Sequence, residues 1–168
     1  MASAHVDTFA REHLPAQELQ PEYLFDGPQL QFPPQLNCAT ELLDRRVLEG
    51  DGERLCIQAP GLRWTYADLL AQASRIAHVL VAECGLVPGN RVLLRAPNSP
   101  MLAACWFAVV KAGGIAVATM PLLREKELKA IIDKAQVTHA LCDAGLADAL
   151  RAAMAQSPVL TNLICFDG

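Results

Sequence analysis

From residue 91 to residue 166 short apolar runs alternate with amphipathic stretches of about three helical turns, and this alternation constrains the fold most. Residues 91–96, 115–118, 139–142 and 163–166 read as strands with little polar alternation. Between them, residues 100–112, 125–135 and 147–156 read as helices. Strands apolar on both faces and joined by helices pair in parallel, with helices covering each side of the sheet. Right-handed crossovers follow as the default. The fold class is therefore α/β, a mostly parallel sheet flanked by helices.

The residues before this unit read differently. Residues 1–36 hold five of the eleven prolines and no sustained period, which predicts an extended arm anchored by Phe25 and Phe32. Residues 37–168 are expected to form the α/β subdomain. Within it, Asn37 caps a short helix running to about residue 49, with Ala39, Leu42, Leu43 and Val47 as its apolar face. A hairpin follows, residues 55–59 and 63–65, joined by Pro60-Gly61-Leu62. Thr65 with Asp68 three residues on is a variant capping box. The helix it opens carries Tyr66, Leu69, Leu70, Ala73, Ile76, Ala77 and Leu80 on one stripe, and Gly85 supplies its exit.

Charge and cysteine content exclude several functions. The formal net charge is −4 and aromatic residues make up 5% of the chain, so neither the basic excess nor the stacking surface of a nucleic-acid binder is present. The six cysteines, Cys38, Cys56, Cys84, Cys105, Cys142 and Cys165, form no Cys-x-x-Cys pair. Four of them (Cys56, Cys105, Cys142 and Cys165) lie in apolar runs and are expected to be buried reduced thiols, with no metal bound. The first residues lack a basic segment followed by an apolar core, so no export signal is read and a reducing cytoplasm is expected. Residues 101–123 carry one charge, Lys111, but Gly113-Gly114 and Pro121 divide them into a helix and a buried strand rather than a membrane span.

In an open parallel sheet, ligands bind beyond the carboxyl ends of the strands. The loops there are Pro97-Asn98-Ser99, Thr119-Met120-Pro121-Leu122, Asp143-Ala144-Gly145 and Asp167-Gly168. None has a glycine-rich phosphate-binding pattern. Ser99 reads as a helix cap rather than a nucleophile, His78 and His139 as structural, and Asp143 as a cap for the next helix. Arg124 and Lys126, with Lys129, form a modest basic group that faces either a phosphate or solvent. No residue is assigned a catalytic role.

The order of two short blocks carries a resemblance. Arg63-Trp64-Thr65-Tyr66-Ala67-Asp68-Leu69-Leu70 and Val110-Lys111-Ala112-Gly113-Gly114-Ile115-Ala116-Val117 resemble the first and second core motifs of the adenylate-forming (AMP-binding) acyl-CoA synthetases. Gly85-Leu86-Val87-Pro88-Gly89-Asn90-Arg91-Val92 and Ala96-Pro97-Asn98-Ser99-Pro100, between them, are similar to the segments that flank a strand in that family. The likeness spans Asn37 to Asp143. Arg75-Ile76-Ala77-His78-Val79-Leu80, Met101-Leu102-Ala103-Ala104-Cys105-Trp106 and Ala118-Thr119-Met120-Pro121-Leu122-Leu123-Arg124 resemble the 2-aminobenzoate-CoA ligase branch, close to benzoate-CoA ligases. The segment from Ala4 to Arg11 is similar too.

This resemblance implies a parent that joins an aromatic carboxylate to coenzyme A, using ATP and Mg, through an acyl-adenylate. It also implies that residues 37–168 are an incomplete amino-terminal subdomain, ending before the family's phosphate loop, with no cofactor bound by this chain. Such a fragment is expected to be inactive alone and to self-associate. A stand-alone α/β binding module is the alternative.

Overall fold

The computed structural model describes residues 3–167; Met1, Ala2 and Gly168, which belong to the expected arm and the last inspected loop, lie outside the described residues. A four-residue helix, α1 (Phe9–Glu12), comes first. A coil over residues 40–51, a hairpin of β1 (Leu55–Ala59) and β2 (Leu62–Thr65), and α2 (Tyr66–His78) follow. Then come β3 (Arg91–Arg95), α3 (Pro100–Lys111), β4 (Ile115–Thr119), α4 (Glu125–Ala135), β5 (Val137–Asp143), α5 (Ala147–Met154) and β6 (Asn162–Phe166). The four later strands form one sheet in the order β4-β3-β5-β6, every neighbouring pair parallel. The hairpin is a separate antiparallel pair.

The core lies on both faces of the sheet. All five residues of β3 are buried, and its three apolar side chains alternate between two clusters. Val92 and Leu94 pack with Leu80 beyond α2 and with Cys105 and Val109 of α3, whereas Leu93 packs with Leu128 and Ile132 of α4 and Leu150 of α5. A strand apolar on both sides is what the sequence pattern demands of a central parallel strand. A third cluster, Leu43, Leu69, Ala73, Ala77, Ala104 and Ala108, joins α2 to α3 through small side chains that let the helices approach closely.

Local signals set the element ends. Thr65 Oγ1 accepts the Asp68 amide at 3.2 Å while Asp68 Oδ2 accepts the Thr65 amide at 2.9 Å, a reciprocal capping box. Ser99 Oγ accepts the Leu102 amide at 3.1 Å. Asn37 Oδ1 accepts the Ala39 amide at 2.9 Å, and its side-chain amide donates to the Val110 carbonyl at 2.9 Å, tying the first coil to the end of α3. Lys111 pairs with Asp44 across the same junction. The 101–123 stretch is a helix, two glycines and a strand, and among the described residues no helix is long and apolar enough to cross a membrane.

Three packing expectations are corrected. Phe25 and Phe32 are half exposed and pack edge-on against each other, with ring centroids 6.0 Å apart, so they do not anchor the amino-terminal segment. Leu42 is exposed because the 40–51 coil is wound more loosely than an α-helix, leaving Leu43 inside it and Ala39 just before it as the buried side chains. Cys165 is exposed and Cys56 half-buried; of the six thiols, Cys105 and Cys142 are buried. An edge strand covers its side chains on fewer sides than a central one, which accounts for Cys165.

The attachment of the amino-terminal segment lies earlier, at residues 5–9. Val6 and Asp7 amides donate to the Pro88 carbonyl at 2.9 and 3.0 Å. Asp7 Oδ2 accepts from Arg91 Nη1 at 2.6 Å and from the Asn90 side-chain amide at 2.8 Å. The Arg91 guanidinium lies 4.8 Å from the Phe9 ring centroid, in cation–π contact. Gly89 is required here: at φ +94° it presents its bare Cα to this segment, and a Cβ would stand 2.1 Å from the Asp7 carbonyl oxygen.

Partial burial alone would raise the Asp7 pKa, but hydrogen bonds from Arg91, the Phe9 amide and Asn90 outweigh it and hold the carboxyl below its ordinary value. The charged form is thus favoured by folding. Its contribution is present above the ordinary aspartate range of about 3.9 and is lost as pH falls through the lowered value. Following the Asn90 side-chain amide by NMR against pH is expected to give a midpoint below that range. Asp7→Asn is expected to abolish the transition.

Candidate functional site

The sheet order fixes where a ligand of an open α/β sheet would sit. From β3 the chain crosses through α3 to β4 on one side, then returns through α4 to β5 on the other. The switch point is therefore the crevice between the carboxyl ends of β3 and β5. Arg95, the last residue of β3, is buried there with 2% of its surface exposed.

Its guanidinium makes four hydrogen bonds, all to main chain. Nε donates to the Leu146 carbonyl at 3.3 Å and Nη1 to the Met120 carbonyl at 3.0 Å. Nη2 donates to the carbonyls of Pro121 and Leu123 at 2.9 and 2.7 Å. A planar fork of donors can satisfy several carbonyls at once, whereas a lysine ammonium could not reproduce the geometry. Arg95 thus ties the turn after β4 to the turn after β5 and occupies the crevice itself.

The structure places the candidates read from the sequence in separate parts of the fold. Ser99 Oγ is held by the first turn of α3. Asp143 Oδ1 accepts the Gly145 amide at 2.9 Å, capping the short turn before α5. His139 is buried in β5, where Nε2 contacts the Cys84 carbonyl at 3.0 Å and Nδ1 the Thr138 hydroxyl at 2.7 Å, so it binds the strand to the segment after α2. His78 is exposed on α2.

Arg124 and Lys126 are exposed at the start of α4, on the β4 side of the sheet. The Arg124 amide donates to Glu127 Oε2 at 3.0 Å, and Lys129 pairs with Asp133 one turn on. The apolar pattern of 91–96 does not single out Arg91 and Arg95. The signal was available: an arginine at each end of a strand that must be central needs buried acceptors.

One cavity of about 370 Å³ opens at the carboxyl end of the sheet, between the hairpin turn and the start of α3. Pro60, Leu62, Trp64, Asn98, Ser99 and Met101 line it, with Asp167 the single charged group on its wall. A wall with a carboxylate and no cation repels a polyphosphate rather than holding it. Among the described residues no group of three or more His, Cys, Asp or Glu is placed to hold a metal ion. The residues lining this cavity therefore do not fit a nucleotide triphosphate with its metal.

Known proteins share this fold. The AMP-binding enzyme family matches residues 43–168, three quarters of the sequence. The chain belongs to that family. A long-chain-fatty-acid–CoA ligase of Bacillus subtilis is 36% identical over 86 residues, covering 51% of this chain and 15% of the ligase. MatB of Rhodopseudomonas palustris superposes with a TM-score of 0.67 at 30% identity, over 77% of this chain and 25% of that one.

An anthranilate CoA ligase in complex with anthranoyl-AMP superposes with a TM-score of 0.74 at 21% identity, over 80% of this chain and 26% of that one. At that identity the likeness shows the fold alone. The chain thus spans about a quarter or less of the length of these relatives, and the match falls on the amino-terminal part of the adenylate-forming fold. The AMP-binding family match runs through β6, beyond the end of the motif resemblance at Asp143.

Within this AMP-binding domain the Arg95 knot is the site's scaffold. Arg95→Met keeps most of the apolar stem and leaves four carbonyls without their donor. Urea unfolding is expected to show a loss of about 3 kcal/mol, the scale of buried hydrogen bonds to a charged group.

Proposed function

We propose that this chain supplies the amino-terminal scaffold of an ATP-dependent aryl-CoA ligase. That ligase would convert a carboxylate and ATP to an acyl-adenylate and pyrophosphate, then form a thioester with coenzyme A. The observation that carries this reading is the AMP-binding family match over residues 43–168 on a four-stranded parallel sheet. The aromatic preference, 2-aminobenzoate or benzoate, rests on the resemblance of residues 75–80, 101–106 and 118–124 to that branch. The fold shared with an anthranilate CoA ligase is compatible with it.

In this reading residues 37–168 are the structural subdomain and residues 1–36 an arm added to it. ATP, Mg and coenzyme A are bound by parts of the protein other than the residues described here. Arg124 and Lys126 are left as solvent-facing cations that a phosphate could approach.

Stabilising an in-line attack on a phosphate requires donors aimed at the developing charge. The guanidinium nearest the crevice is already committed to carbonyls, and the cavity wall carries a carboxylate. The 168-residue chain is therefore expected to show no carboxylate-dependent ATP–pyrophosphate exchange. Exchange above background would overturn the scaffold role. A full-length gene product given a panel of carboxylates is expected to exchange fastest with 2-aminobenzoate or benzoate. Preference for a fatty acid would remove the aryl assignment and leave the ligase reading standing.

The same scaffold role has a physical consequence. Among the described residues β4 and β6 each pair on one side only, which leaves two rows of unpaired backbone groups. Sedimentation of this chain over a range of concentrations is expected to show self-association, and a clean monomer at high concentration would contradict it.

A further inference from the structure

We propose that Cys165 and Cys142 form a peroxide-responsive thiol pair, in which Cys165 is oxidised first and Cys142 closes onto it as a disulfide. This proposal is independent of the ligase reading.

The pairing follows from strand register. β5 and β6 are parallel, and Cys142 stands directly opposite Cys165. Directly opposed residues of neighbouring parallel strands project to the same face, and adjacent strands lie about 4.8 Å apart. That spacing falls inside the range of Cα separations, about 4.4–6.8 Å, that a disulfide spans. The face is identified by the neighbours. Cys142 packs among Leu128, Ile132 and Leu150, and Leu163, two residues before Cys165, packs against the same cluster. Ile164, between them, packs on the opposite face. Both sulfurs therefore belong to the side covered by α4 and α5.

Their environments differ in the way a two-step oxidation needs. Cys165 is exposed, and Arg151 Nη2 of α5 donates to its sulfur at 3.6 Å, while Arg151 Nη1 pairs with Asp148 at 3.3 Å. Reactive cysteines sit in such electropositive, accessible surroundings. Cys142 is buried, with its thiol 3.2 Å from the Asp143 carbonyl. Burial, with the Cys165 sulfur a lesser contributor, pushes the Cys142 thiol up to about 11, and the same burial keeps the oxidant from reaching it first.

The chemistry balances with a hydroperoxide as oxidant. The Cys165 sulfur attacks the peroxide, an S–O bond forms, the O–O bond breaks, and the departing hydroxide or alkoxide takes the Cys165 thiol proton and leaves as water or an alcohol. The Cys142 sulfur then attacks that of Cys165. The S–S bond forms, the S–O bond breaks, and hydroxide leaves with the Cys142 proton as water.

The test is a peptide map. Trypsin cuts after Lys134 and Arg151, which places the two cysteines on separate peptides unless a disulfide joins them. The folded chain is treated with hydrogen peroxide, alkylated and digested without reductant. The expected result is a linked pair of peptides, a loss of two of the six alkylatable thiols, and full recovery of both with reductant. In Cys142→Ala, Cys165 is expected to proceed to sulfinic acid instead. Failure of the wild-type chain to give the linked pair, with Cys165 carried to sulfinic acid or left unmodified, overturns the proposal. The wild-type map decides even where the Cys142→Ala chain does not fold.

Discussion

Two arginines at the ends of one strand hold this structure together. β3 is the only strand of the sheet with its full length buried, and Arg91 and Arg95 bring a charge to each of its ends. A buried charge is tolerated only where hydrogen bonds replace the lost water. Arg95 finds its acceptors in the turns after β4 and β5. Arg91 finds them in the carbonyls of Gly89, Ala135 and Gln136 at the other end. Gln136 adopts a left-handed conformation, φ 50°, as α4 ends, and its carbonyl accepts from Arg91 at 2.7 Å. The loops at both ends of the sheet are thereby tied to the same strand.

This arrangement fills the switch-point crevice with a side chain of the protein itself. In most open α/β sheets that crevice receives a ligand. Here the guanidinium of Arg95 fills the electrostatic role of a bound group, drawing carbonyls together from two turns. The residues with plausible reactivity nearby are committed in turn: the Ser99 hydroxyl and the Asp143 carboxylate each accept a backbone amide. The assignment to the AMP-binding family comes from the match over residues 43–168.

The legible part of the fold was the part governed by local chemistry. The capping box at Thr65 and Asp68 and the Ser99-Pro100 helix start each settle a boundary within a few residues, and α4 begins and ends where its apolar period does. What depended on partners distant in sequence was not legible. Phe25 and Phe32 looked like anchors because aromatic rings between prolines usually find a surface, yet they found each other. The true anchor, Asp7 on Arg91, joins two charged residues far apart in sequence, and no periodicity marks it. Cys165 shared the apolar context of Cys142, but its strand ends the sheet and leaves it open.

The same two arginines bear on how the chain is made. During synthesis β3 emerges before either neighbour, and its partner β5 follows only after two helices and another strand have been added. Through that interval Val92, Leu93 and Leu94 form a bare apolar triplet, the kind of segment that joins other nascent chains. A cation on each side works as a gatekeeper against such encounters. The charges that later knot the finished sheet thus first protect its most adhesive stretch while the ribosome completes the rest.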